Sequence, residues 1–416
     1  MKYLITILLC IAALLFPFLV AASNFLLGVA LACSILSGLW WSGANLCWKN
    51  YRLLSIIMCA YVVLVVLGLL WSLDLKWGLH VVGRHWFWLL IPVIVTVLEN
   101  EQWRKWFLLS LSSGLALNLV YCVLQMLGYV EVNTDGSNAA DATGLIGHIG
   151  FGFVYGLWAA WLLHLGLLWG DNRRRWVVWG AAAWSYVMIF AAQGRSGYLI
   201  AVMLMVCVLI KWVFDSKRWQ TVLPVIVGFV LILLVVALGP GKERLQGTWF
   251  AFTQTVQEKE LDQLNSSDNA ILATDERFQM WKTAIDIWHQ YPLLGVGTGG
   301  LPKAVSVMKS QGLSSAPSVF VHPHNQYLLD LVRWGPVGLL LLVGLLVVWM
   351  REGLKVDWQH SLTAPLSTLS GLALVLHGLS SSGMEEHFSA ILAVLLLGVA
   401  LSDSRQYVNT GGKQCN

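Results

Sequence analysis

The stretch 324–350, HNQYLLDLVRWGPVGLLLLVGLLVVWM, decides the class of fold. Between Arg333 and Arg351 it contains no charged residue. A helix needs about 20 predominantly apolar residues to cross roughly 30 Å of hydrocarbon. The stretch therefore predicts a membrane-spanning helix whose polar beginning lies at the interface with water.

The rest of the chain has the same character. Of its 416 residues 57% are hydrophobic and 12% are charged, whereas soluble domains carry roughly 25% charged residues. Other apolar runs lie at 4–22, 25–41, 53–72, 86–98, 106–128, 145–169, 176–192, 196–214, 219–239, 361–381 and 388–402. Unpaired backbone groups are too costly in lipid, so we predict an all-α polytopic membrane protein with about 12 transmembrane helices.

The positive charges predict the orientation of these spans. With the N-terminus inside, most Lys and Arg residues fall in cytoplasmic loops: Lys2, Lys49, Arg52, Arg104, Lys105, Arg173, Arg174, Arg175, Lys211, Lys217, Arg218, Arg351, Lys355, Arg405 and Lys413. The short outer segments contain only Lys76, Arg84, Arg195 and Arg333. We therefore expect both termini in the cytoplasm, nine helices in 1–239, an outer loop containing helices at 240–323, and three helices with a short tail in 324–416.

A first candidate for anion binding is the stretch from Gln193 to Gly197, QGRSG, which forms an outer turn between two predicted spans. Its glycines permit close backbone approach. Arg195 and Ser196 then stand at the start of a helix, where free N–H groups favour an anion. A guanidinium there can hold a phosphate through two hydrogen bonds, or it can extend to lipid headgroups.

A second candidate is Arg277 in the long loop. We predict a helix that begins at Asp275, is capped by Thr274, and places Phe278, Trp281, Ile285 and Trp288 on one face. Arg277 would lie in its first turn, where a cation opposes the helix dipole unless an anion binds. The alternative is a surface salt bridge with Asp275 or Glu276.

The third candidate is the motif His322-Pro323-His324-Asn325, followed by Tyr327, where the loop re-enters the membrane. Proline favours a helix start, so we expect His324 and Asn325 in the first turn of the tenth span. A histidine with a near-neutral pKa is a natural general base for a sugar hydroxyl. Asn325 would orient a ring or a sugar, and a metal site lacks an evident third ligand.

Several further residues at the outer face allow two interpretations. Arg84, beside His80 and His85, would help to bind phosphate or the acceptor. Asp330 and Arg333, three residues apart, are expected to pair with each other. Glu385, Glu386 and His387 would rim an acceptor site or simply be solvated.

These clusters, in this order, resemble the O-antigen ligase family, whose superfamily includes O-antigen polymerases and protein O-oligosaccharyltransferases. The resemblance rests in detail on 191–199 and 275–338, including the Arg-Ser-Gly turn, the His-x-His-Asn motif and Gly335-x-x-Gly338. It implies a fold like that of GT-C-type glycosyltransferases in a bacterial inner membrane. The chain ends soon after its last predicted span, which favours a lipid A-core ligase over protein-directed transferases.

The resemblance also implies a reaction. An undecaprenyl-diphosphate-linked glycan would be the donor and a lipid A-core sugar hydroxyl the acceptor, with membrane lipids around the protein and no nucleic acid, nucleotide, metal or other cofactor required. Arg195 and Arg277 would hold the diphosphate and His324 would be the base, while His322, Asn325, Ser196, Tyr327 and Arg84 would bind substrate. O-antigen polymerase or protein O-oligosaccharyltransferase activity is the alternative, and a lipid-linked glycan transporter is less favoured because the ionisable residues gather at one face.

Overall fold

The computed structural model describes residues 1–131, 142–170, 173–192, 194–216, 269–314 and 316–410, with the backbone only at 148–149, 195, 216, 269–275 and 404–410. Its regular elements there are helices. The first ten are α1 (Lys2–Leu15), α2 (Val20–Leu36), α3 (Leu39–Asn50), α4 (Arg52–Leu67), α5 (Leu75–Gly83), α6 (Leu90–Val97), α7 (Glu101–Met126), α8 (His148–Leu168), α9 (Arg174–Ala191) and α10 (Arg195–Ser216). The others are α11 (Asn269–Gln290), α12 (Leu301–Ser310), α13 (Gln326–Leu354), α14 (Ala364–Gly378) and α15 (His387–Thr410).

Several of these helices are long and apolar enough to cross a membrane. Five qualify by length and composition, and a sixth if the bent pair α2 and α3 forms one span. Shorter apolar helices accompany them at Lys2–Leu15, Arg52–Leu67, Ala364–Gly378 and His387–Asp403. The predicted all-α, multi-pass membrane protein is confirmed. The number of about 12 transmembrane helices stays a prediction.

Two predicted spans differ in shape from the expectation. The second is continued by α3 after a bend of 87° at Gly38, whose positive φ of 77° suits a glycine. The fourth is the last part of a longer run in which a 3-10 turn, Trp86–Leu89, joins α5 to α6. Hydropathy alone does not register such breaks. The predicted span 219–239 and the loop up to residue 268 lie outside the described residues.

Close contact between α8 and α10 places the start of α10. A Cβ added to Gly152 would lie 2.2 Å from the Cα of Gly197, so only glycine pairs permit this approach. α10 begins at Arg195, two residues earlier, as the sequence predicts. The contact therefore holds the backbone of the Arg-Ser-Gly turn beside the beginning of α8.

The loop lobe has its own small core against the start of α13. Ala284 and Ile287 of α11 are buried there with Val305 of α12 and with Leu329 and Val332 of α13. Small Ala284, which is not among the residues of the predicted apolar face, permits this close helix packing. Two residues of that face, Phe278 and Ile285, are 36% and 38% exposed.

The predicted start of α11 is also wrong. The helix begins at Asn269, six residues before Asp275, so Arg277 lies in its third turn. The mismatch with the helix dipole that the sequence suggested is therefore weak, since that effect falls off within the first turn. Arg277 projects from the body of the helix and is exposed.

α13 is broken where it passes the lobe. Gly335 has φ 63° and ψ −162°, and Pro336 lacks a backbone N–H. The carbonyls of Val332 and Arg333 would lose their helical donors at this break. They instead accept hydrogen bonds from the backbone N–H groups of Val296 and Gly297, each 2.9 Å long.

The glycine-rich segment 295–300 is thus a structural connector. Thr298 donates its hydroxyl to the carbonyl of Val65 over 2.7 Å and accepts from Nε1 of Trp334 over 2.9 Å. Its backbone N–H donates to Gly68 over 3.0 Å, so the segment also caps the end of α4. The loop lobe is thereby anchored to two membrane helices.

We expect Gly335→Ala to lower the free energy of unfolding by more than about 2 kcal/mol, because φ and ψ at this position suit only glycine. An added Cβ would also lie 2.0 Å from the carbonyl oxygen of Leu293. Gly344→Ala, in the same helix with open space around it, is the matched control. Thermal unfolding in detergent compares the two, and equal midpoints would argue against a strained break.

Candidate active site at the outer end of α13

The loop helix α11 is attached to the histidine motif through Trp281. Its Nε1 donates a hydrogen bond of 2.8 Å to the carbonyl of Pro323. Trp281 lies one helical turn after Arg277, so both side chains emerge near the same side of α11. The bond therefore brings the Arg277 segment to the residues that precede α13.

The histidine motif ends just before α13 rather than inside its first turn, which corrects the prediction. Asn325 is the N-cap: its Oδ1 accepts from the backbone N–H of Leu328 over 3.1 Å, and its Nδ2 donates to Leu379 over 3.5 Å. Its amide is thus engaged in capping, the usual reason for Asn at this position. A role in substrate binding for Asn325 stays a prediction.

His324 has an unusual backbone conformation. Its φ is 52°, and among the described residues no other non-glycine residue has a positive φ. Such conformations are sparsely populated and are found at functional sites held by the surrounding structure. The Asn325 cap and the Trp281 bond to Pro323 supply that support on either side of His324.

The two histidine rings contact each other edge to face, with centroids 4.5 Å apart and an angle of 85° between the planes. Burial, assisted by the neighbouring His322 and Arg277, lowers the pKa of His324 to about 4. Burial also lowers the pKa of His322. Both rings are therefore neutral at pH 7, and Nδ1 of each is buried without a hydrogen bond among the described residues.

A buried ionic pair lies beneath the motif. Arg333 and Glu385 form a two-pronged pair whose side chains are 1% and 5% exposed. Burial alone would raise the pKa of Glu385, but the Arg333 guanidinium holds it below its usual value. Asp330 instead accepts from Gln326 over 2.7 Å and from Tyr61 over 2.9 Å.

The predicted Asp330–Arg333 pair is therefore wrong. Residues three apart on a helix can meet, but Glu385 reaches Arg333 with both carboxylate oxygens and satisfies its fork geometry. Gln326 further ties the outer loop to α13 by accepting from the backbone N–H of Met384 over 3.1 Å. These bonds fix the segment 379–386 beside the histidines.

We expect the Arg333–Glu385 pair to be strongly coupled in unfolding. Glu385→Gln should lower the free energy of unfolding by about 3–5 kcal/mol, because it leaves a buried guanidinium without its counter-ion. A double-mutant cycle with Arg333→Met should show a coupling of about 1–3 kcal/mol. The cycle of Arg333→Met with Asp330→Asn is the comparison, and a larger coupling there would reinstate the pair expected from sequence.

Glu386 presents a second carboxylate beside the first. It accepts from Nε2 of His377 over 2.8 Å and from the hydroxyl of Ser381. Burial would raise its pKa, whereas these hydrogen bonds and the charge of His377 lower it. Glu386 is therefore ionised at pH 7, and it raises the pKa of the nearby His322, against the effect of burial.

A cavity of about 730 Å³ opens on the His322 side of the motif. Polar residues that line it are Asn24, His80, Arg84, His322, Ser382, Glu385, Glu386 and His387. Small-molecule sites have volumes of roughly 300–1,000 Å³ and combine apolar walls with a few polar groups. The structure thus brings the predicted residues Arg84 and His322 to one cavity, with Arg84 exposed at the end of α5.

The remaining predicted site residues lie around this centre. Ser196 lies in the first turn of α10, next to Gly197, which contacts Gly152 of α8. Gly150, also in α8, lines the cavity. The side chain of Arg195 lies outside the described residues. Tyr327 donates its hydroxyl to the carbonyl of Val375 over 2.8 Å, a bond that fastens α13 to α14.

Sequence reasoning missed some residues at the cavity and misjudged others. Asn24 was not considered, although a lone Asn in an apolar run signals a functional position in a membrane helix. Glu385 and Glu386 were expected to rim an acceptor site or to be solvated. Both line the cavity, but Glu385 is buried against Arg333, a partner far away in sequence, and Glu386 is partly buried against the nearby His377. Among the described residues, no three His, Cys, Asp or Glu side chains are grouped as metal ligands are.

A comparison with known protein families matches a region that contains several of these residues. Residues 180–343 match the family model described as O-Antigen ligase. Over this region, which is less than half of the chain, the protein is similar to that family. The match contains the Arg195 turn, α11 and the histidine motif, and it confirms the resemblance drawn from sequence. No curated protein matches the chain. The family match supports a glycosyltransferase activity of the O-antigen ligase and polymerase type.

Proposed function

We propose that the protein transfers O-antigen from undecaprenyl diphosphate to a sugar hydroxyl of lipid A-core at the periplasmic face of the bacterial inner membrane. The observation that carries this proposal is the position of the neutral His324–His322 pair. Arg277 contributes to the low pKa of His324, and His322 lines the cavity. The positive charges of the sequence support a periplasmic position for this face and a cytoplasmic position for both termini.

Arg277, with Arg195, would serve the leaving group. A diphosphate leaves readily once its developing negative charge is neutralised by fixed cations. Arg277 lies close enough to His324 to lower its pKa, so a diphosphate held by Arg277 would stand beside the histidine. Arg195 would contribute from the start of α10, where free N–H groups add to the attraction for an anion.

His324 would activate the acceptor. Its neutral ring accepts the proton of the acceptor hydroxyl while the hydroxyl oxygen attacks the anomeric carbon of the donor sugar. The bond from that carbon to the diphosphate oxygen breaks, the electron pair leaves with the diphosphate, and the anomeric configuration is inverted. We assign this role to Nε2, because Nδ1 is buried. No nucleotide or metal is needed, since the donor bond supplies the free energy.

The acceptor is tested by reconstitution in EDTA with one polyprenyl-diphosphate glycan and three acceptors offered separately. These are lipid A-core, a second copy of the lipid-linked glycan, and a pilin-like protein. We expect label to appear on lipid A-core. Exclusive transfer to the glycan or to the protein would make the chain a polymerase or a protein O-oligosaccharyltransferase that uses the same donor.

A further inference from the structure

One wall of the cavity carries an unusual pair, Asn24 of α2 and His387 at the start of α15. Nδ2 of Asn24 and Nδ1 of His387 are 3.3 Å apart. Phe16 stacks on the His387 ring at 5.8 Å, and Phe388 contacts the same ring at 5.0 Å. The pair is therefore held in place by neighbours from α1 and α15, and both residues line the cavity.

The pair leaves one atom of each residue without a partner. Oδ1 of Asn24 and Nε2 of His387 are buried and make no hydrogen bond within the described residues. Buried polar groups are nearly always satisfied, so two such atoms on one cavity wall point to a missing ligand or water. Neither residue takes part in the proposed chemistry at His324.

The hydrogen-bond types of these atoms define what would satisfy them. The Asn24 amide nitrogen only donates, so Nδ1 of His387 must accept, which places the ring proton on Nε2. The pair therefore presents one acceptor, Oδ1, and one donor, Nε2–H. A hydroxyl group donates one hydrogen bond and accepts others, so it matches this pair where a phosphate, which lacks a donor, does not.

Other features of the cavity agree with a sugar rather than a diphosphate. The ionised carboxylate of Glu386 lines it and would repel a diphosphate but accept a hydroxyl, whereas the cation Arg84 lines it from the exposed end of α5. Trp86 and Phe388 supply the apolar surface on which a sugar ring packs. Near Asn24, Leu19 and Phe25 of the α2 region are 54% and 70% exposed, which suits access from a lipid-anchored molecule.

We propose that Asn24 and His387 form a hydroxyl-binding subsite for the acceptor sugar, on the wall of the cavity that His322 also lines. That the bound sugar is the acceptor rests on the proposed function, whereas the binding of a sugar hydroxyl can be tested without transfer. It places the acceptor on the His322 side of the motif and the donor diphosphate on the Arg277 side. Asn24 and His387 would then govern which sugar is accepted.

The test uses three substitutions in the full-length protein. Asn24→Leu removes the amide with little change in volume. His387→Asn keeps a group near Nδ1 and loses Nε2, whereas His387→Gln keeps a donor near Nε2. Ser37→Ala, at the exposed far end of α2, is the control. The midpoint of thermal unfolding shows whether each variant is folded. If Asn24→Leu does not fold, the two His387 variants alone test the subsite.

Two measurements separate the outcomes. The first is the affinity of the purified protein for core oligosaccharide. We expect Asn24→Leu and His387→Asn to weaken this affinity about tenfold, which is the change for one lost hydrogen bond. His387→Gln should weaken it less. In transfer, the same variants should raise KM for the acceptor and not KM for the donor. Unchanged oligosaccharide binding in both Asn24→Leu and His387→Asn would overturn the subsite, as would an equal rise of the donor KM. Absence of transfer by wild type with every acceptor would instead overturn the proposed function, while the binding result would still decide the subsite.

Discussion

His324→Ala is expected to lower the transfer rate by about 10²–10⁴-fold, the usual contribution of a general base. The protein should remain folded, because the ring is half-buried and its Nδ1 has no hydrogen bond within the described residues. The rate of glycan transfer to acceptor in proteoliposomes measures the effect. His289→Ala, which removes an exposed histidine of α11, is the matched control. Transfer within a fewfold of wild type by His324→Ala would remove His324 from the mechanism.

His322→Ala separates the two histidines. Its ring lines the cavity, and it also contacts His324 edge to face. We therefore expect a rise in KM for the acceptor and a smaller fall in the turnover rate than for His324→Ala. A larger fall in turnover for His322→Ala would transfer the role of base to His322.

Arg277→Ala is expected to lower the transfer rate by about 10²–10³-fold, the effect of removing one group that stabilises developing charge. Arg277→Lys should recover only part of the rate, because an ammonium lacks the planar fork that binds phosphate oxygens in pairs. Lys282→Ala removes an exposed cation of the same helix and controls for the general electrostatic field. If Arg277→Ala and Lys282→Ala had equal small effects, the loss would reflect net charge alone.

The pH dependence offers an independent check on His324. A base must be neutral, and a lowered pKa keeps it neutral at lower pH. With a pKa of about 4, kcat/KM should be constant from pH 8 to about 5 and fall only as the pH approaches 4. His322 and Arg277 contribute to the lowering and Glu386 opposes it. An acid limb near the ordinary value of about 6.5 would show that the free enzyme does not hold the ring as buried as the structure does.

The helical architecture was largely predictable because its cause is local. Apolar runs of sufficient length and the cost of unpaired backbone in lipid are visible residue by residue. Breaks within these runs were not. The bend at Gly38 leaves no trace in the hydropathy of its run. The break at Gly335 depends on backbone donors from another segment, since Val296 and Gly297 lie far from Val332 along the chain.

Several candidate site residues could be selected from the sequence, but their roles stay predictions and their pairing could not be foreseen. His322, His324, Arg277 and Arg84 stood out because polar groups at the edge of apolar segments need a reason to be there. The structure brings His322 to His324 and places Arg84 at the same cavity. Arg333 was assigned the wrong partner, because Glu385 is 52 residues away and only the fold brings it near.

The direct test of the central claim is reconstitution of the purified protein in proteoliposomes, in EDTA, with a labelled polyprenyl-diphosphate glycan and lipid A-core. The proposed transfer requires that label moves covalently to lipid A-core, that unsubstituted polyprenyl diphosphate is released in equal amount, and that His324→Ala slows both by about 10²–10⁴-fold. Movement of intact labelled donor across the bilayer, with no covalent product, would contradict it and would identify the protein as a transporter.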